Sequence, residues 1–257
     1  MAFRQGTLAQ ILDSEKEMIL SAPQRYGEYY EHAFECSMFL TQFLKSIDPD
    51  RYVAASFFAQ VKKHHTLALF STVRLHKVQS MINLRQVLEA GACAAFAIAN
   101  PDHQHFVDTD AHGILDPSPK LARKRYAWLK QNYPAGSDAI EGMKKQINLE
   151  AAHANLISAQ ANFRTDYKEG WFATPFFDIE DAHFVKTDLW RIGSIAITLL
   201  DLFYGVNNGR KVIKFVDNFV PIFQKLVTKD AALREEMMTS DRYKRAMEKE
   251  KARTGGQ

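Results

Sequence analysis

Between Asp48-Pro49 and Asn100-Pro101-Asp102 the chain contains no proline, and no glycine before Gly91. No other feature limits the fold as much. Asp48 can cap free amides, and Pro49 suits a first helical position, where a missing N–H costs nothing. From Arg51 the good helix formers run for about forty residues without a breaker. That exceeds the roughly 25 residues of an ordinary globular helix, so either one long helix crosses the molecule or an unmarked kink divides it. The apolar centre, Thr66 to Asn100, carries Arg74, His76, Arg85 and Glu89. The small residues Ala90-Gly91-Ala92-Cys93-Ala94-Ala95 mark the closest packing point of the core.

On a continuous helix Arg74 and Arg85 lie about 20° apart and Glu89 about 40° beyond Arg85, with Leu67, Val78 and Ala92 on the same side. An Arg85–Glu89 pair at i,i+4 on an apolar face needs partners. It is either a structural ion pair or an anion-binding or catalytic Arg held by Glu89. If the pair is buried, removing one member costs about 3–5 kcal/mol.

The 257 residues allow one large domain or two small ones, and a hydrophobic fraction of 46% permits a sizeable core. The formal charge is +3, from 33 basic and 30 acidic residues. That balance does not describe a general nucleic-acid binder, yet leaves room for a local basic groove. Cys36 and Cys93 both sit in apolar helical contexts and read as small buried hydrophobes. The first twenty residues lack the apolar run of a signal peptide, and no stretch of about 18 apolar residues follows. A cytoplasmic protein with no membrane span is expected.

In chain order, Thr7 to Leu20 reads as a short amphipathic helix, and Pro23 starts a second, from Gln24 to Ile47. After the central stretch, Pro101 to Pro119 is irregular. Leu121 to Asn132 is a short basic helix. Pro134 to Ser137 is a turn, with Ser137 as N-cap of a helix from Asp138 to Gln160. Residues 162–177 read as a small hairpin or flap, whose second arm Pro175 makes an edge. Asp181 to Tyr204 is helical, and so is Lys211 to Leu226, with Pro221 a candidate kink. The organisation expected is one helical domain over residues 1–228, with a charged C-terminal helix and frayed tail over 229–257. The fold class is all-α: a helical bundle around one long central helix, with the flap beside it.

Three patterns bear on chemistry. Glu150-Ala151-Ala152-His153 is an E-x-x-H, which di-metal bundles use twice, and no second copy exists in this chain. Glu28, His32 and Glu35 could add ligands from another helix. His103, His105, Asp108, Asp110 and His112 are metal-binding types in one loop, but no Cys accompanies them, so a solvated loop without structural metal is expected. Arg25 and His32, in RYGEYYEH, match the Arg-to-His gap of HEPN-type ribonucleases. A chain this rich in Arg and His meets that spacing about once by chance. No nucleotide loop, G-x-S-x-G or Cys-His pair is visible.

The phrase from Arg74 through Glu89, R-L-H-…-L-R-Q-V-L-E, with the later His153 in AAHANLISAQANF, resembles a signature of uncharacterised bacterial all-helical proteins. Some of these resemble HEPN domains of defence and toxin systems. The resemblance spans about half the chain and implies an all-helical fold. The site expected is a polar pocket of Arg74, Arg85, Glu89, His153 and Asn155, with His153, Arg85 and Glu89 as catalytic candidates. It needs no cofactor and no metal, and suits a small anionic ligand or RNA. The alternatives are a HEPN-like metal-independent ribonuclease and a metal-dependent enzyme. Long apolar helices of this kind often bury a face against a second copy, so a homodimer is expected.

Overall fold

Helix α1 (Leu8–Tyr26) starts where Thr7 and Gln10 form a reciprocal capping box: the Gln10 amide donates to Thr7 Oγ1 at 3.3 Å, and the Thr7 amide donates to Gln10 Oε1 at 2.9 Å. The structure is a computed structural model. It describes every residue except 1, 5, 6, 110, 111, 113, 114, 117, 118, 152–155, 162 and 255–257. Strand β1 (Ala2–Arg4) precedes α1. Pro23 does not begin the second helix as expected; it lies inside α1. The turn falls at Gly27, whose φ of 53° is cheap only without a Cβ. Helix α2 (Glu28–Gln42) follows. The chain then leaves the helix for β2 (Leu44–Ile47), where a helix to Ile47 was expected.

The central stretch is divided. Helix α3 (Tyr52–Val73) and helix α4 (Lys77–Ala99) are joined by only Arg74, Leu75 and His76, and form the most extensive helix pair in the molecule. The break needs no glycine. The His76 amide donates to the Ser71 carbonyl at 2.8 Å and the Leu75 amide to the Thr72 carbonyl at 3.1 Å, the bonding of a Schellman cap. Leu75 occupies the left-handed position, φ 59°, at a cost of about 1–2 kcal/mol. Tertiary contacts hold it there. The Asp178 amide donates to the Leu75 carbonyl at 2.9 Å, and Asp178 Oδ2 accepts from the Lys77 amide at 2.7 Å. The Leu75 side chain is itself buried.

Strands β3 (Asp108–Thr109) and β4 (Leu115–Asp116) pair in the irregular loop. Helix α5 (Pro119–Asn132) leads into α6 (Pro134–Ala151). The expected turn over 134–137 is the first turn of α6, because Pro134 is itself compatible with a helix start; Ser137 is buried inside the helix and does not cap it. After α7 (Leu156–Ala161), β5 (Arg164–Asp166) and β6 (Trp171–Ala173) form the anticipated antiparallel hairpin. Its turn is set by Asp166 Oδ1, which accepts from the Lys168 and Glu169 amides, and by Gly170 at φ 67°. The second arm is not an edge: β1 pairs with it in parallel on the far side, and Pro175 lies past the strand.

Helix α8 (Ala182–Asn208) is capped by Asp181, which accepts from the His183 amide. Strand β7 (Ile213–Phe215) returns to β2, so the helix expected from Lys211 starts only at α9 (Phe219–Thr239). Pro221 falls in the first turn of α9, where a proline is harmless. Helix α9 continues across residue 228 and places Leu233 in the core, where Tyr29 donates to its carbonyl. Helix α10 (Asp241–Thr254) ends the described chain. The molecule is all-α with a small hairpin, as the periodicity indicates.

The core lies among α2, α3, α4 and α8. Gly91 is a point of very close approach: a Cβ there would sit 2.5 Å from Leu199 Cδ2. Helices α4 and α8 are long and apolar enough to cross a membrane, yet 72% and 61% of their most apolar windows are buried within the protein. Their apolar surface serves the core. His65 stitches three of these helices. Its Nε2–H donates to the Ile192 carbonyl at 3.0 Å, and its Nδ1 accepts from Ser37 Oγ at 2.7 Å. Burial pushes this imidazole down to about 4, the Ile192 carbonyl offsetting only part, so it is neutral at pH 7.

Candidate functional site

Two polar clusters lie on α4. The first is at its N-terminal corner. Arg191 of α8 donates to both Glu150 oxygens, at 2.8 and 2.9 Å, and lies 3.6 Å from Asp188. Lys77 Nζ stands 3.5 Å from Glu150 and 3.7 Å from Asp188. Each cation therefore touches both carboxylates, and the four charges close a ring joining α4, α6 and α8. The carboxylates are pushed opposite ways. Burial raises the Asp188 carboxyl, and Lys77 and Arg191 offset only part of it. Burial also acts on Glu150, but the Arg191 bonds and charge, with those of Lys77, outweigh it and hold the group below the usual carboxylate range. Beside the ring, Glu15 of α1 accepts from His76 Nε2 at 3.2 Å and from Arg74 at 3.4 Å. The His76 ring packs against Phe176 and Phe177.

The second cluster lies further along α4. Arg85 Nε donates to Glu89 Oε1 at 3.2 Å, and Arg85 Nη1 to Asn148 Oδ1 at 2.9 Å. Lys144 of α6 lies 3.1 Å from the same Glu89 oxygen and donates to the Tyr126 hydroxyl at 2.9 Å. Burial works against the Lys144 charge, but its bonds to Tyr126 and Glu89 more than offset this and raise its pKa. Burial raises the Tyr126 phenol, with Lys144 offsetting part. Two cations thus share one carboxylate. The seam borders an open groove of about 530 Å³ between α5 and α6, lined by Tyr126, Glu141, Lys144, Lys145, Asn148 and Leu149. Arg85 is 38% exposed and Glu89 34%, so both can meet solute.

The expected site residues therefore separate. Arg85 and Glu89 form the anticipated i,i+4 pair in the seam, whereas Arg74 lies in the turn before α4 and pairs with Glu15. The 20° separation between Arg74 and Arg85 assumed one helix, and the break removes that assumption. His153 and Asn155 lie outside the described residues. Glu150 belongs to the corner ring. Among the loop residues, the His105 ring packs on Phe96, His103 lies 3.7 Å from Asp102, and Asp110 is outside the described residues. No group of three His, Cys, Asp or Glu side chains among the described residues is arranged to hold a metal ion. Arg25 pairs with Glu180, while His32 is fully buried and bonded to Asp230 at 3.1 Å, in a knot that also takes Ser194.

Lys144, Asn148 and Tyr126 complete the seam, and Lys77, Asp178, Asp188 and Arg191 the corner; the sequence singles out none of them as a site residue. The only local signals were the i,i+3 spacing of Asp188 and Arg191 and the i,i+4 spacing of Lys144 and Asn148. Comparison with known protein families, curated proteins and solved structures finds no match.

Proposed function

We propose that this is a cytoplasmic binding protein whose α4–α5–α6 seam takes a small anionic ligand. One observation carries the reading: Arg85 and Lys144 share a single carboxylate, Glu89, beside an open groove. An added anion would balance the second cation. The Arg85 fork already points Nη1 at Asn148, so an incoming oxyanion meets a fixed donor and an amide together. The corner ring supports the choice by contrast, since its charges are already matched. The two cysteines are free thiols, which fits a reducing compartment. The test is thermal unfolding with inorganic pyrophosphate as probe. The intact protein should melt higher as pyrophosphate rises. Arg85→Gln should melt normally without ligand and lose most of that rise. An equal rise in both proteins would reject the seam as the site.

A further inference from the structure

We infer that the α5–α6 face is a docking surface for single-stranded nucleic acid, bound through its phosphate backbone across the same seam. The inference rests on the anion-binding reading above and names a larger partner for it. Residues 119–151, spanning α5 and α6, hold seven basic and three acidic side chains, while the whole chain has 33 and 30. The rest of the molecule is therefore net acidic by one, and all of the excess positive charge is on this helical pair. Helix α5 itself has no acidic residue.

The charges are also available. Among the described residues, the ion pairs of these helices are Arg85–Glu89, Lys144–Glu89, Lys130–Asp138, and Glu150 with Arg191 and Lys77. Arg123, Lys124 and Lys145 are exposed and stand outside them. Arg123 lies one turn before Tyr126 on the same side of α5, and Lys145 lines the groove. Helix α5 is about 21 Å long, so one small anion cannot meet these cations together, whereas a phosphate chain can. The groove chooses between strand types. Its wall includes the Tyr126 ring and Leu149, which is 74% exposed. A duplex keeps its base faces stacked inside and would leave that apolar wall unused. A single strand offers phosphates to the cations and base faces to the groove.

The test uses the full chain and a fluorescein-labelled oligothymidylate of about twelve nucleotides, within the span of one such site. Fluorescence anisotropy is read across a salt series, beside a duplex of equal length and vesicles of phosphatidylserine. The single strand should bind more tightly than the duplex, and affinity should fall with salt. In Arg123→Gln/Lys145→Gln, which touches none of these ion pairs, the slope of log affinity against log salt should shrink by about 1.4. Arg85→Gln should weaken the single strand as well. Four results would overturn the inference: no binding at low salt, equal or tighter binding of the duplex, binding to vesicles alone, or an unchanged salt slope in the double variant. If pyrophosphate still raises the melting temperature through Arg85 while the oligonucleotide fails, the small-anion reading stands and only this inference falls.

Discussion

The two polar clusters on α4 use the same residue types and come to opposite ends. At the corner, Lys77 and Arg191 face Glu150 and Asp188, and every charge is matched. Roughly 12 Å along the helix, Arg85 and Lys144 face, among the described residues, Glu89 alone. Burial differs at one pair: the Arg191 side chain is 15% exposed and Asp188 8%, while Lys77 and Glu150 are as exposed as Arg85 and Glu89, all more than a third. Charge count and solvent together decide whether ionic side chains lock helices or wait for a partner. A matched ring built on a buried Arg191–Asp188 pair is costly to break and has no charge left over for a solute. An unmatched, wet pair contributes little to stability and can bind.

Breaking the ring should have the largest effect. Arg191→Met leaves the buried Asp188 with Lys77 alone and should cost about 3–5 kcal/mol in urea unfolding. A loss near zero would show that the corner is no lock. Stability against pH comes next, because it must be separated from the ring before the clusters can be compared. His65 is neutral when folded, with its pKa at about 4, and titrates near 6.5 when unfolded. The unfolded chain therefore binds the extra proton between those values. His65 favours folding fully above about pH 6.5, and about 3 kcal/mol of that is lost as pH falls to about 4. Glu150, held low, adds its loss only further down, as pH drops through its folded value. A stability curve flat from pH 7 to pH 4.5 would contradict the neutral buried imidazole. The smallest effect is expected in the seam. A double-mutant cycle on Arg85 and Glu89 should give a coupling under about 1 kcal/mol, far below the value for a buried pair. A coupling above about 3 kcal/mol would erase the contrast.

Much of the fold was legible because helices announce themselves by period. The hairpin showed in the Lys168-Glu169-Gly170 break between its two arms, and the α4–α8 approach in the small residues around Gly91. The break at Leu75 was hidden, since a Schellman cap without glycine depends on Asp178, a hundred residues away. Strands β2 and β7 are too short to show alternation, and each is stable only against the other. Pro23 read as a start because proline marks helix beginnings, but Gly27 supplied the turn. For the site, the i,i+4 spacing exposed Arg85 and Glu89. It could not expose Lys144, brought in by another helix, nor a ring assembled from positions 77, 150, 188 and 191.

The central claim is that the seam has a spare cation and the corner has none. Arginine side-chain NMR reads both in one sample, following the Arg85 and Arg191 Nε–H signals as inorganic pyrophosphate is added. The Arg85 signal should move and saturate while the Arg191 signal stays in place. A shift at Arg191 with Arg85 unmoved, or no shift at either, would contradict it.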